Sequence, residues 1–168
     1  MAALFAGCAS PGGTVHWPEP LSPSNADLFS HNDVVIARPC QRIWDILVNA
    51  PKWPEWYANA SQVRLLDRSR TQLEHGSAFT WRTFGIVVES RVAEFEPAAR
   101  LAWFGAAKDM TAYHAWLLKP LPDACRVITQ ETNNGPAAVA LRDKNPDAIH
   151  DGHATWLAQL KAISERSE

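Results

Sequence analysis

Proton transfer near neutral pH calls for a histidine, and His114 and His153 are the two that fall within apolar patterns rather than in polar stretches. His114 shares one side of an alternating run with Trp116 and Leu118, and His153 shares a helical stripe with Trp156. Either or both could act as general acid or base in an aldol cyclisation or a dehydration, with Glu131 or Arg82 holding a substrate oxygen. The plainer reading makes each histidine a hydrogen-bonded residue of a cavity wall. Glu89 and Arg91 also lie on strand patterns, where one face is core and the other water. A metal is a further reading: His150 and His153 are three apart on one helix, with Asp147 and Asp151 nearby. No third soft ligand follows at a fixed spacing, so no metal and no cofactor is expected. The Gly-x-Ser-x-Gly, Gly-x-x-x-x-Gly-Lys and Gly-x-Gly-x-x-Gly signatures are all absent.

The elements that must position these residues are ordered simply. Asn145 to Lys161 reads as one long helix, with Asn145 as N-cap, Pro146 at the first helical position and Asp147 in the first turn. Its stripe is Ile149, His153, Trp156, Leu160 and Ile163. Before it the period is two. Strands are expected at Val63–Leu66, Ser77–Phe84, Ile86–Phe95, Arg100–Gly105, Thr111–Lys119 and Cys125–Thr132, with a tight turn at Gly85. Asp33–Ala37 is a first strand, Gln41–Val48 a short helix, Lys52–Tyr57 a further helical turn, and Ala137–Arg142 a lead into the long helix. This order is α+β: a curved antiparallel sheet of about seven strands wrapped around the terminal helix.

A chain of 168 residues is one domain in length, and its net charge of −2 carries no footprint for nucleic acid. Eight tryptophans must line a core or a cavity. Trp56, Phe79, Trp81, Arg82, Trp103, Trp116, Glu131 and Trp156 are the expected ligand-contacting residues, and the expected partner is a hydrophobic or aromatic small molecule. Residues 1–31 are expected to be an extended segment before a domain at 32–168. Ser10 to Asn32 has linker composition, although Trp17, Leu21, Leu28 and Phe29 could dock as a strap. Leu4 to Ser10 resembles the end of a bacterial lipoprotein leader, with Cys8 as the lipid attachment point. The compartment is then the envelope; otherwise the cytoplasm is expected. No segment has the apolar length of a membrane span. The three cysteines form no Cys-x-x-Cys and read as independent thiols.

Several short runs together resemble the helix-grip superfamily of START lipid-transfer domains, the birch pollen allergen and the polyketide cyclase/dehydrase (SRPBCC) group. They are Val34-Val35-Ile36 before Ala37-Arg38-Pro39, Ile43 to Leu47, Trp53-Pro54-Glu55-Trp56, Gly76, and Glu94 to Pro97 before Arg100 to Trp103. The resemblance implies that the first strand pairs with the last and that a deep cavity separates sheet from helix. It also implies that Cys40 and Cys125 fall at the same end of the sheet, where an exported protein could join them. The allergen branch's glycine-rich loop has no counterpart, since Asp67 to His75 contains no glycine. Three functions follow from the resemblance: a carrier of small hydrophobic molecules, a cyclase/dehydratase-type lyase or isomerase using a cavity histidine, and an envelope lipoprotein with lipid-like cargo.

Overall fold

In the computed structural model, which describes residues 13–166, seven antiparallel strands form one sheet in the order β1-β7-β6-β5-β4-β3-β2. The strands are β1 (Leu28–Ile36), β2 (Ser61–Leu65), β3 (Ala78–Thr83), β4 (Ile86–Glu96), β5 (Arg100–Ala107), β6 (Met110–Leu121) and β7 (Ala124–Asn134). The helices are α1 (Cys40–Val48), α2 (Pro136–Lys144) and α3 (Ala148–Ser164), with a 3-10 segment at Ala50–Glu55. The first strand pairs with the last, from Leu28 opposite Asn133 to Ile36 opposite Cys125. Cys40 and Cys125 are joined by a disulfide, with Cα atoms 5.1 Å apart.

Helix α3 lies against the inner face of the sheet and buries Ile149, His153, Trp156, Leu157 and Leu160 there. It is shorter at its start than the sequence pattern indicates. Asn145 belongs to the end of α2, where its backbone N–H bonds to the Leu141 carbonyl, and Asp147 is the N-cap of α3. Ile163 is half-buried, and Ser164 takes the last fully buried position instead.

Strand β1 starts at Leu28, so the stretch up to Asn32 is not linker throughout. Its burial alternates, but two of the buried positions are Ser30 and Asn32, and polar residues inside a strand hide its period. The chain before it crosses the outer face of the sheet as a strap. Val15 and Leu21 are buried against Ala102, Tyr113, Ala115, Leu117 and Ile128, and Trp17 packs edge-on to Tyr113. Polar contacts hold it in place: Thr132 Oγ1 donates to the Leu21 carbonyl at 2.8 Å, and Glu94 meets both Arg100 Nε at 2.6 Å and His16 Nδ1 at 2.9 Å. The strap explains why strand β6 is buried on both faces.

The turn joining β3 to β4 consists of Phe84 and Gly85, both at positive φ (49° and 80°). That pair of conformations matches the twist of a two-residue hairpin, and a bulky residue adopts it only under some strain. Phe84 N–H bonds to Asn59 Oδ1 at 3.1 Å, and its ring lies over Gly152 of α3, where a Cβ would approach the ring to 2.2 Å. Among the described residues no helix is long and apolar enough to cross a membrane. Cys8, the expected lipid attachment point, lies outside the described residues.

Candidate functional site

The inner face of the sheet changes character along its length. On β5 the inward residues run Leu101, Trp103, Gly105 and Ala107; on β6 they run Leu118, Trp116, His114 and Ala112. Large side chains at one end therefore give way to small ones at the other, and where they are small a cavity of about 230 Å³ opens between sheet, α2 and α3. A void of ~150 Å³ is enough for benzene, so this one suits a guest of one or two rings. Its wall is mainly apolar, with Trp81, Trp103, Ile149 and Trp156 among the lining residues, and Phe84 and Ile86 at the hairpin.

Strand register assembles the polar part. Ser30 pairs with Glu131, Glu131 with His114, and His114 with Trp103, so four neighbouring strands contribute one row across the inner face. His153 reaches down to that row from α3. Glu131 Oε2 lies 3.0 Å from His114 Nδ1 and 3.2 Å from His153 Nε2. The far nitrogens are also engaged: His114 Nε2 is 2.8 Å from Thr129 Oγ1, and His153 Nδ1 is 3.1 Å from Ser30 Oγ. Ser30 in turn donates to Asn32 Oδ1 at 3.1 Å, and Asn32 Nδ2 donates to the His150 carbonyl at 3.1 Å. The His114 and His153 rings stack with centroids 4.6 Å apart, and Trp103 and Trp116 flank His114 at 4.7 and 5.4 Å.

Burial pushes the His114 imidazole down to about 4, more strongly than the adjacent Glu131 carboxylate pulls it up, so near neutral pH the ring is uncharged. Burial acts to raise the Glu131 carboxyl, but the proximity and hydrogen bonds of His114, and then of His153, outweigh it and hold the group well below the usual carboxylate range. Glu131 is thus an ionised carboxylate in an aromatic wall. Its second oxygen, Oε1, takes no hydrogen bond among the described residues. Among the described residues, the polar groups of the cavity wall without a hydrogen-bond partner include the side-chain amide of Asn133 and the indole N–H of Trp156.

His114, His153, Glu131, Trp81, Trp103 and Trp156 therefore come together at the cavity. Phe79 and Trp116 stand behind it, wholly buried. Trp56 is half-buried beside Tyr57, away from the cavity. Arg82 is on the outer face, exposed, with Nη1 donating to the Gly85 carbonyl at 2.7 Å; alternation that turns Trp81 and Thr83 inward must turn Arg82 out. His150 is exposed and near Asp151 (3.5 Å), so it does not join His153 as a ligand pair. Ser30, Asn32, Thr129 and Asn133 escape sequence reasoning because only cross-strand register places them beside the histidines. The alternation of Val127, Thr129, Glu131 and Asn133 on one face of β7 is the signal that could have found two of them.

Comparison with known proteins agrees with this fold. A hypothetical protein of Helicobacter pylori has a crystal structure that superposes with a TM-score of 0.84 at 34% identity, covering 91% of this chain and 97% of its own. The Zhui aromatase/cyclase from Streptomyces sp. R1128 superposes with a TM-score of 0.69 at 13% identity, covering 82% and 93%. Truncated norcoclaurine synthase from Thalictrum flavum gives 0.65 at 10% identity, covering 83% and 94%. At those lower identities the likeness is one of fold. No curated protein matches the chain. The family model for polyketide cyclase / dehydrase and lipid transport matches residues 30–162, and the chain belongs to that family, as a helix-grip protein of the SRPBCC type.

Proposed function

We propose that the protein binds a flat hydrophobic molecule of one or two rings in the cavity beneath α3, with a polar substituent directed at Glu131 and Asn133. Family membership makes small-molecule binding the starting point. The observation that carries the finer reading is the pairing of a mainly apolar cavity of about 230 Å³ with an ionised carboxylate and an unpartnered amide on its wall. A few convergent polar groups in an apolar hollow orient a guest and select among guests. The volume suits rings better than a long acyl chain, which places lipid-like cargo below an aromatic guest. Native mass spectrometry of freshly purified protein should reveal a bound small molecule. Titration with 2-naphthol should quench the fluorescence of Trp81, Trp103 and Trp156, and Ala112→Leu should abolish the quench. Quenching that Ala112→Leu leaves intact would place the guest elsewhere.

A second reading, acid–base catalysis, is favoured by the chain of polar contacts from Glu131 through His153 and Ser30 to Asn32. Both ring nitrogens of each histidine already have protein partners, which favours binding over catalysis by a free imidazole. The two readings separate with 2-tetralone in deuterated water, followed by proton NMR. A catalyst would exchange its α-protons faster than buffer does and would lose that ability in His114→Ala or His153→Ala. A binder would leave exchange at the buffer rate.

A further inference from the structure

The hydrogen bonds around His153 fix where its protons are. Asn32 donates from Nδ2 to the His150 carbonyl at 3.1 Å, which leaves its Oδ1 facing Ser30. An amide oxygen only accepts, so the single hydroxyl proton of Ser30 goes to Asn32. Ser30 Oγ must then accept from His153, and Nδ1 of that ring carries a hydrogen across the 3.1 Å contact. The other nitrogen, Nε2, faces Glu131 Oε2 at 3.2 Å. In a neutral ring protonated at Nδ1, Nε2 is a bare lone pair set against a carboxylate oxygen, and that contact requires a cation. A second proton on the ring is one such cation. The remaining geometry favours another.

We propose that His114 Nδ1, His153 Nε2 and Glu131 Oε2 form a binding site for one divalent transition-metal ion, zinc or ferrous iron, at the wall of the cavity. The three donor atoms lie within 4.8 Å of one another, and Oε2 is 3.0 and 3.2 Å from the two nitrogens. Ligands held ~2.0–2.1 Å from a common ion at roughly right angles are separated by about 3 Å. Two imidazoles and a carboxylate suit zinc and ferrous iron in ligand type, and three protein ligands leave a coordination position open. All three residues line the cavity. Each histidine's far nitrogen has an oxygen partner, Thr129 for His114 and Ser30 for His153, and such outer contacts fix ring orientation in metal sites. Trp103 and Trp116 pack on the His114 ring and hold it further. The triad is assembled from β6, β7 and α3, so no spacing in the chain announces it.

The test uses untagged protein, treated with chelator, checked for fold by circular dichroism and titrated with Co²⁺ or Zn²⁺ alone, or with Fe²⁺ under anaerobic conditions. The proposal expects about one ion per chain by elemental analysis, a Co²⁺ visible absorption band and a raised Tm with Zn²⁺. His114→Ala, His153→Ala and Glu131→Gln should each lose the ion, while His150→Ala keeps it. Ser30→Ala and Thr129→Val, which leave all three ligands in place, should weaken affinity by about 10- to 100-fold. Folded wild-type protein that takes up no ion from any of the three metals would overturn the proposal and assign the cation at His153 to a proton. Uptake that persists in His153→Ala would also overturn it. No organic guest enters these measurements, so they stand or fall apart from the 2-naphthol titration.

Discussion

The two ends of the space beneath α3 are built from the same strands and the same helix, yet one is solid and the other hollow. At the solid end Trp53 is wholly buried among Phe79, Trp81, Trp103 and Trp156, with ring centroids 5.2 to 5.9 Å away, and Tyr57 stacks on Trp156 at 4.3 Å. The Cys40–Cys125 disulfide closes that end. At the hollow end Gly105, Ala107, Ala112 and Ala137 line the cavity. The backbone does not decide which end is open; inward side-chain volume does. The ionisable row of Glu131, His114 and His153 sits at the boundary, backed by aromatic rings on one side and facing the void on the other.

The largest effect should come from the solid end. Trp53→Ala removes an indole that touches four other rings and should lower unfolding free energy by about 3–5 kcal/mol in urea denaturation. A loss below about 1 kcal/mol would mean the two ends are packed alike.

The boundary should be sensitive to acid. Because the folded His114 is depressed to about 4 from an ordinary 6.5, the unfolded chain binds a proton there before the folded one does. Stability from this group is complete above pH 6.5 and falls as pH drops towards 4, by up to roughly 3 kcal/mol. In chelator-treated protein, Tm should decline over that window, and His114→Gln should flatten the decline. Glu131, held lower still, titrates below it.

Reducing the disulfide, which spans 85 residues of sequence, should remove about 2–4 kcal/mol, again by denaturation. The hollow end should answer differently. Ala112→Leu fills space rather than compressing it, so stability should change by less than about 1 kcal/mol while 2-naphthol affinity falls more than about tenfold. Unchanged affinity would show that the cavity is not where that guest sits.

The smallest effect is expected at the β3–β4 hairpin, where Phe84 lines the cavity. Gly152→Ala adds a methyl that meets the outer edge of the Phe84 ring, which is 40% exposed and must swing outward to admit it. Helix propensity gained, about 0.5–1 kcal/mol, should offset the lost contact. Stopped-flow fluorescence should then report faster entry and release of 2-naphthol at nearly unchanged Tm.

Much of the architecture can be read directly from pattern. The alternation of His114, Trp116 and Leu118 against Tyr113, Ala115 and Leu117 assigns the two faces of β6, and the stripe from Ile149 to Leu160 orients α3. The beginning of β1 is hidden because Ser30 and Asn32, which serve His153, occupy inward positions where apolar residues would have revealed a strand. A residue that belongs to a site breaks the very pattern that would have located it. Arg82 is a simpler case: it alternates with Trp81, and only the choice of face was open.

Apart from where β1 and α3 begin, local order in the chain was enough to set the strands, the clasped helix and the fall in side-chain size along β5 and β6, since each depends on neighbours a few residues apart. It also named His114, Glu131 and His153 individually. That these three meet at 3.0 and 3.2 Å, with Ser30 and Thr129 behind them, was decided only by the tertiary structure. Residues 30 and 153 become partners through strand register and through the seating of α3 on the sheet, and neither distance is encoded in any window of sequence.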